Sequence, residues 1–288
     1  RSPDCGVDAA VTMNAAIAER ARAGELLTPA ELDELATVDV LTLGMLADDV
    51  RRARCGDTVT FVRVSDTSMP GSPAEFRLGA LPETIEQAEA MIAEARTRAG
   101  TQRLTGFSLA DIVSRNWDDL STVLRRLKRA GLDAIVDAPV DRVADVSVFR
   151  TAQEAGLPVR CLSLQKPVNG RTEYILTVRS ILQAVPSIDA VAPLPKEQSI
   201  TVPTTGYDDV RAIALTRLGV PSLKTIEIDW SQYGPKLAQV ALAFGANHLD
   251  RVSTADDESL GRRRTAVEDV KRNIVAAGFS PVEVSPGL

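Results

Sequence analysis

Residues 117–140, WDDLSTVLRRLKRAGLDAIVDAPV, contain a helix-length amphipathic segment followed at once by a short apolar segment. Gly131 lies between the two, and a glycine at this place commonly ends a helix in the left-handed conformation. The pattern predicts a helix over Trp117–Ala130 and a strand over Asp133–Val140. Strand and helix units of this size are typical of parallel α/β folds.

The same unit recurs along most of the chain, with Gly156 and Gly219 again ending a helical segment before an apolar one. We predict strands at Thr58–Val64, Glu75–Leu81, Arg103–Leu109, Asp133–Val140, Pro158–Gln165, Asp189–Leu194, Ser222–Trp230 and His248–Val252. We predict helices between and after them at Glu83–Arg98, Trp117–Ala130, Ser147–Ala155, Thr172–Val185, Tyr207–Leu218, Pro235–Phe244 and Arg262–Ala277. About eight strands favour a (β/α)8 barrel of the TIM type over an open sheet.

The N-terminal part of the chain has a different pattern. Helical periodicity covers Val7–Ala23 and Val38–Arg54, and Thr28 suits the N-cap of a helix between them. We therefore predict that residues 1–57 form a helical segment packed on a barrel of residues 58–288. The sequence between Val64 and Glu75 is too short and too proline-rich for a helix, whereas a parallel crossover usually needs a dozen or more residues. Either the first two strands pair differently, or this unit has lost its helix.

Composition excludes several classes of protein. The chain has 288 residues, a formal net charge of -6 and a sequence pI near 5.1, which argues against a nucleic-acid binder. No apolar run approaches the roughly 18 residues of a membrane span. Three cysteines far apart in sequence and a single histidine argue against a disulfide framework and against a metal site, and they suit a reducing cytoplasm. His248, the single histidine, is expected to be structural, at the N-terminal side of the barrel.

Polar residues whose side chains are expected to point from the strands into the barrel are the candidates for a catalytic or binding role. In Ser222–Trp230, apolar residues alternate with Glu227 and Asp229, so both carboxylates are expected to point into the barrel. Asp229 then lies near the C-terminal mouth, where the active sites of such barrels are built, and is the candidate catalytic residue. The same argument selects Arg63, Asp137 and Gln165. The alternative is an interior salt-bridge network without a function in binding.

The turn after this strand is a second candidate. Its sequence, WSQYGPK over residues 230–236, combines a strand end, a glycine and a proline suited to a helix start. The amides of such a turn, with Gln232 and Lys236, are expected to hold a carboxylate or a phosphate. The alternative is a well-formed βα turn with no ligand.

Several segments resemble one group of radical S-adenosylmethionine (SAM) enzymes: the aminofutalosine synthases, dehypoxanthine futalosine cyclases and deazaflavin synthases. The segments are LTLGMLADDVRR at 41–52, GDTVTF at 56–61, PLP at 193–195, YDDVR at 207–211, IDW at 228–230 and GPKLAQVALAFGANHLD at 234–250. The resemblance spans nearly the whole chain and is most specific after Pro193. It implies a SAM-type barrel and a place near menaquinone biosynthesis through futalosine. It also implies ligand contacts at Arg142, and at Pro193, where the adenine of SAM packs in the family.

One departure from the family decides the expected chemistry. The family carries C-x-x-x-C-x-x-C after the first strand, and these cysteines bind three irons of a [4Fe–4S] cluster. Here that place holds Ser65-Asp66-Thr67-Ser68-Met69-Pro70, without a cysteine. We therefore expect no [4Fe–4S] cluster and no radical initiation by this chain, and SAM binding is retained only as an alternative.

Three functional hypotheses follow. In the first, the chain is a cluster-free barrel that binds a small carboxylated metabolite related to the futalosine pathway, with Arg63, Arg142 or Lys236 holding the carboxylate and Asp229 as acid or base. In the second, it is a non-catalytic partner subunit of a paralogous radical SAM synthase. In the third, it is an enzyme with polar, non-radical chemistry. An open, charged pocket favours the first or third, and a filled barrel beside an exposed apolar patch favours the second.

Overall fold

The computed structural model describes residues 13–65, 74–168, 170–197, 205–254 and 267–284. The strands are β1 (Thr58–Ser65), β2 (Glu75–Leu78), β3 (Arg103–Ser108), β4 (Ala134–Pro139), β5 (Cys161–Leu164), β6 (Ala190–Pro195), β7 (Thr225–Asp229), β8 (His248–Ser253) and β9 (Ser280–Glu283). The helices are α1 (Ala15–Ala23), α2 (Pro29–Thr37), α3 (Val40–Cys55), α4 (Ile85–Ala99), α5 (Leu109–Arg115), α6 (Leu120–Ala130), α7 (Val146–Glu154), α8 (Arg171–Ala184), α9 (Gly206–Gly219), α10 (Trp230–Leu242) and α11 (Val267–Ala276).

The strands β1 to β8 form a closed parallel barrel. Each strand pairs with the next along the chain, and β1 pairs with both β8 and β2. This confirms the predicted (β/α)8 barrel. The suggestion that the first two strands pair differently is wrong, because Val64 and Ser65 lie opposite Glu75 and Phe76 in a parallel register. The predicted loss of a helix falls on residues 66–73, outside the described part of the chain.

A ninth strand adds to β1 on its β2 side. β9 runs parallel to β1, with Thr58 opposite Ser280 and Phe61 opposite Glu283, whereas β2 contacts only the last residues of β1. The amino-terminal half of β1 therefore has β9 as its neighbour where a regular barrel would have β2.

Of the helices that precede the barrel, α2 begins where the sequence signals predict, whereas α1 begins at Ala15 rather than at the predicted Val7. Thr28 accepts a hydrogen bond from the amide of Glu31 at 3.3 Å, and the Glu31 carboxylate accepts from the Thr28 amide at 2.7 Å. This reciprocal pair starts α2. α3 packs along α9, and the core is continuous from these helices into the barrel. The division of domains at residue 57 stays a prediction.

Besides β9, two elements at the carboxyl end of the barrel differ from the predicted ones. The helix α5 follows β3 directly, because the backbone at Phe107 has a φ of 55° and turns out of the strand direction. The helix α10 begins at Trp230, five residues before the predicted start. Gly234, with φ 71° and ψ 177°, interrupts it, and Pro235 restarts it. Among the described residues, no helix has both the length and the apolar character that crossing a membrane would require.

Candidate functional site

A cavity of about 320 Å³ opens at the carboxyl ends of the strands. Strands β2 to β8 all contribute to its wall, as the C-terminal mouth of such a barrel allows. The charged and polar residues that line it are Arg77, Ser108, Asp111, Asp137, Arg160, Ser163, Lys196, Glu227, Asp229, Gln232, Tyr233, Asp250 and Arg251.

Two arginines and three carboxylates form a buried network at the bottom of this cavity. Arg77 donates to Glu75 at 2.8 and 2.6 Å and to Asp250 at 2.7 and 3.1 Å. Arg160 donates to both oxygens of Glu227, at 2.7 and 3.0 Å, and to Asp250 at 3.3 Å. Each charge thus has an opposite charge and a directional hydrogen bond, which is the condition under which buried ions are tolerated.

Burial and the neighbouring opposite charges shift the pKa values of this network in opposite directions, and the opposite charges have the larger effect. Burial alone would lower the pKa of Arg77, but Asp250 and Glu75 outweigh burial and raise that pKa above its usual value. Burial would raise the pKa of Asp250, but Arg160 and Arg77 bring it well below the usual range. Arg77 and Asp250 therefore stay ionised near neutral pH, as the predicted alternative of an interior salt-bridge network requires.

His248 lies beside this network at the start of β8. Its Nδ1 atom is 2.7 Å from Oγ1 of Thr60, and the residue is buried. Ligand atoms of Glu227, His248 and Asp250 lie within 4.8 Å of one another, which is a spacing that a metal ion could bridge. However, Arg160 and Arg77 already occupy the two carboxylates, so a cation would have to displace guanidinium groups. The group therefore fits a structural role better than metal binding.

Asp137, on β4, makes a second group of polar contacts in the wall of the cavity. Its Oδ2 atom accepts from Oγ of Ser163 at 2.6 Å and contacts the ammonium group of Lys196. Its Oδ1 atom is buried and has no hydrogen-bond partner among the described residues, and the same is true of Oγ of Ser108.

Asp229 lies at the rim, and its side chain caps α10. Oδ1 accepts from the amide of Gln232 at 2.9 Å and from Oγ of Ser231 at 2.7 Å, and Oδ2 lies 3.5 Å from Arg251. The Gln232 side chain donates to the backbone oxygens of Pro195 and Lys196. These contacts fix the turn after β7, and the carboxylate of Asp229 caps the helix start at Trp230. The anion site expected at the Pro235 start stays a prediction.

Two residues that line the cavity have a left-handed backbone. Phe107 has a φ of 55° and Arg251 a φ of 56°, in a region that costs an L residue about 1–2 kcal/mol. Each of these two residues lines the cavity next to a polar neighbour, Ser108 beside Phe107 and Asp250 beside Arg251. Strain of this kind is often found at functional sites.

Three cations that we expected to hold a carboxylate lie outside the lining of this cavity. The Arg63 side chain forms an ion pair with Glu283, because β9 rather than the cavity is its neighbour. Arg142 donates to Asp111 at 2.7 Å from the surface side, and Lys236 is exposed on α10. The expected positions of these cations are corrected accordingly.

Two further predicted residues are also not part of the lining. Gln165 donates to Glu197 at 2.7 Å on the exposed side of β5. Pro193 is buried between Ala192 and Leu194, and those two face the cavity, so the alternation of the strand turns Pro193 toward the helices. In contrast, Asp137, Glu227, Asp229 and Gln232 all lie in the wall of the cavity.

Sequence reasoning missed nine of the thirteen charged and polar residues of this wall, which are Arg77, Ser108, Asp111, Arg160, Ser163, Lys196, Tyr233, Asp250 and Arg251. Two of them carried a usable signal, since Glu75 with Arg77 and His248 with Asp250 are polar pairs at a spacing of two within predicted strands. Arg160 precedes the hydrogen-bonded part of β5, and Lys196 follows the end of β6, so strand alternation gave no indication of either.

The cysteines do not fit an iron–sulfur cluster. Cys161 is buried at the start of β5, where burial raises the pKa of its thiol. Cys55 ends α3 beside the backbone oxygen of Lys224, at the opposite end of the barrel from the cavity. Cys5 lies outside the described residues. The sequence after β1, where the related enzymes carry their cysteines, contains none, so the residues present do not fit a [4Fe–4S] cluster.

Sequence comparison finds relatives that are 26% to 29% identical to this chain over the aligned residues. A 5-amino-6-(D-ribitylamino)uracil–L-tyrosine 4-hydroxyphenyl transferase of Methanopyrus kandleri is 26% identical over 71% of this chain and 66% of its own length. A transferase of the same name from Methanosarcina barkeri is 29% identical over 57% of this chain and 53% of its own. The chain thus spans about half to two thirds of these relatives. No family model matches it.

Two solved structures share the fold. Methylornithine synthase superposes with a TM-score of 0.67 at 16% identity, over 92% of this chain and 97% of that one. The FeFe-hydrogenase maturase HydG from Carboxydothermus hydrogenoformans gives 0.65 at 12% identity, over 92% and 78%. The barrel of this chain thus resembles the barrels of these two enzymes in fold.

Proposed function

We propose that this chain is a cluster-free barrel of the radical SAM kind that binds a small polar metabolite at its C-terminal mouth. The observation that supports this proposal is the open cavity of about 320 Å³, whose wall combines charges from strands β2 to β8. A filled barrel would have favoured the hypothesis of a non-catalytic partner subunit. An open, charged cavity favours a binding protein or an enzyme with polar chemistry.

The charges of the wall favour a ligand that donates hydrogen bonds. Each described cation in the wall already has a carboxylate within 4.0 Å: Arg77 and Arg160 in the buried network, Lys196 at Asp137 and Arg251 at Asp229. A ligand carboxylate would therefore have to compete with these side chains. We accordingly expect the ligand to be recognised through amine or hydroxyl groups rather than through a carboxylate.

The relatives suggest which metabolite to test. Their names include 5-amino-6-(D-ribitylamino)uracil, a molecule with an amine and a chain of hydroxyl groups. The futalosine part of the resemblance points to a second candidate, dehypoxanthine futalosine, which is also rich in hydroxyl groups. SAM, with its sulfonium and amine, is the third candidate.

The role of Asp229 also changes in this proposal. Because its carboxylate caps α10 and contacts Arg251, we assign it to positioning the turn that carries Gln232 rather than to acid–base chemistry. Radical initiation is not part of the proposal, because the residues that would hold the cluster are missing.

Isothermal titration of the protein with each of the three compounds tests the proposal. We expect at least one to bind to wild type and to be excluded by Ala192→Phe, which fills the cavity from β6. Ala93→Phe, on the exposed surface of α4, is the matched control and should bind as wild type does. Failure of wild type to bind all three, or binding that Ala192→Phe does not change, would contradict the proposal.

A further inference from the structure

A second cavity lies on the outer side of the barrel, between α6 and the end of α7. Its volume is about 370 Å³, which is in the range of small-molecule sites. It is lined by Thr122, Arg125, Lys128, Arg129 and Ala155, and none of these residues lines the cavity at the C-terminal mouth. The wall of this second cavity is therefore basic, and among the described residues no carboxylate contributes to it.

Arg125, Lys128 and Arg129 are exposed, and we call these three residues the α6 cation cluster. Within the described part of the chain, no ion pair within 4.0 Å involves any of them. Arg126, on the same helix, differs because it pairs with two glutamates of α4. Arg129 reaches one of these, Glu89, only through space, where it helps Arg126 to lower the pKa of that carboxyl. The cluster thus presents its charges to the second cavity and not to a neighbouring side chain.

The α6 cation cluster opposes helix formation when no anion is bound. Side chains three and four residues apart are neighbours on a helix, and like charges at this spacing repel each other. The helix dipole favours Lys128 and Arg129, which lie in the last turn, but Arg125 lies before that turn. By comparison, both arginines in the last turn of α4, Arg96 and Arg98, have a carboxylate partner. An anion between the three cations of α6 turns their repulsion into attraction.

The charges and donors of the cluster favour a compact phosphate compound. Guanidinium groups bind phosphate oxygens through paired N–H donors, and the lysine adds a point charge. A phosphate monoester carries about −1.5 to −2 charges at pH 7, so the three cations match a diphosphate better. The net charge of the chain is -6, which opposes a long polyanion such as a nucleic acid, because that would extend over the acidic remainder of the surface.

We propose that the α6 cation cluster binds the diphosphate group of a small molecule, at a site separate from the mouth of the barrel. Asp119 caps the start of α6 and accepts from the amide and the hydroxyl of Thr122, at 3.1 and 3.3 Å. The diphosphate therefore lies toward Lys128 and Arg129, away from this carboxylate. The inference does not depend on the proposed function, because the two cavities share no lining residue.

Isothermal titration with inorganic pyrophosphate tests this site. Wild type should bind one pyrophosphate, and Arg125→Gln and Lys128→Gln should each weaken binding by about 10-fold or more, because a hydrogen bond between charged groups is lost. Both variants relieve repulsion within α6, so their melting temperatures without pyrophosphate should equal that of wild type or exceed it. Lys224→Gln is the matched control, because it removes an exposed lysine before β7, changes the net charge equally and should keep wild-type affinity.

Three results would overturn the proposal: no binding of pyrophosphate to wild type, wild-type affinity in both cluster variants, or tighter binding of an RNA oligonucleotide or a polyglutamate peptide. Ala192→Phe, which fills the cavity at the mouth, should leave the affinity for pyrophosphate unchanged. Loss of affinity in Ala192→Phe would place pyrophosphate at the mouth and would also overturn the proposal. Failure of this site is thereby distinguished from failure of the proposed function.

Discussion

His248 is the only histidine of the chain, so at the scale of single residues it provides an unambiguous reporter of the barrel interior. Burial lowers its pKa below the ordinary value of 6.5, and the nearby Arg160 and Arg77 act in the same direction. Glu227 and Asp250 oppose this shift without reversing it. The native state therefore holds the ring neutral near pH 7.

A lowered native pKa has a defined effect on stability. Below about pH 6.5 the unfolded chain binds a proton at His248 that the native barrel resists, so the free energy of unfolding falls as the pH falls. Urea unfolding of wild type should show this loss between about pH 7 and pH 5, and His248→Gln should lack it. A second loss below about pH 4, from Glu75 and Asp250, whose pKa values are lowered, should remain in the variant. If the free energy of unfolding of wild type and of His248→Gln depended on pH in the same way above pH 5, the assignment of this loss to His248 would be contradicted.

The left-handed backbone of Arg251 predicts which of two substitutions at this position leaves the protein more stable. Glycine adopts a φ of 56° without strain, whereas alanine does not. Arg251→Gly should therefore be more stable than Arg251→Ala, by about 1 kcal/mol, although glycine is normally the worse residue in a strand. Thr58, exposed at the start of β1 with no left-handed backbone, is the control, and there alanine should be the more stable substitution. Chemical denaturation of the glycine and alanine variants at Arg251 and at Thr58 measures which variant is the more stable at each position.

At the scale of elements, the helix-to-strand pattern predicted the barrel because each unit repeats the same hydrophobic periodicity and the same glycine stop. It predicted Glu227 and Asp229 correctly as residues of the cavity wall, since β7 alternates regularly. It placed Arg63 wrongly because nothing local in β1 shows that β9 is its neighbour. It missed Ser108 because the left-handed backbone at Phe107 is uncommon for a phenylalanine and is not indicated by residue type.

The start of α10 yields a prediction that separates capping from ligand binding. Asp229→Ala removes the acceptor for the amide of Gln232 and should cost about 1 kcal/mol of stability. Asp229→Asn keeps a good capping acceptor and should be nearly neutral. Thermal melts of the two variants give this comparison. A large loss in Asp229→Asn would instead show that the charge pair with Arg251 is the important contact.

At the scale of the whole molecule, the fold of the radical SAM kind is present without the residues that bind its cluster. Anaerobic reconstitution with iron and sulfide should therefore leave no stoichiometric cluster on the protein, because cluster ligation needs three or four thiolates at one place. Iron analysis and the visible absorption spectrum measure this. About four irons per chain with the charge-transfer absorption of a [4Fe–4S] centre would contradict the prediction.

The position of β1 has a consequence for how the protein is made. β1 forms early in synthesis, but its neighbours β8 and β9 are residues 248–253 and 280–283. At a translation rate of roughly 5–20 residues per second, β1 waits on the order of 10 s or more for them. During that time its β-branched, apolar sequence has free edges, and free edges favour pairing between chains. We therefore expect the nascent chain to depend on chaperones until residue 283 has left the ribosome, and we expect docking of β8 and β9 on β1 to be the step that commits each new molecule to its fold.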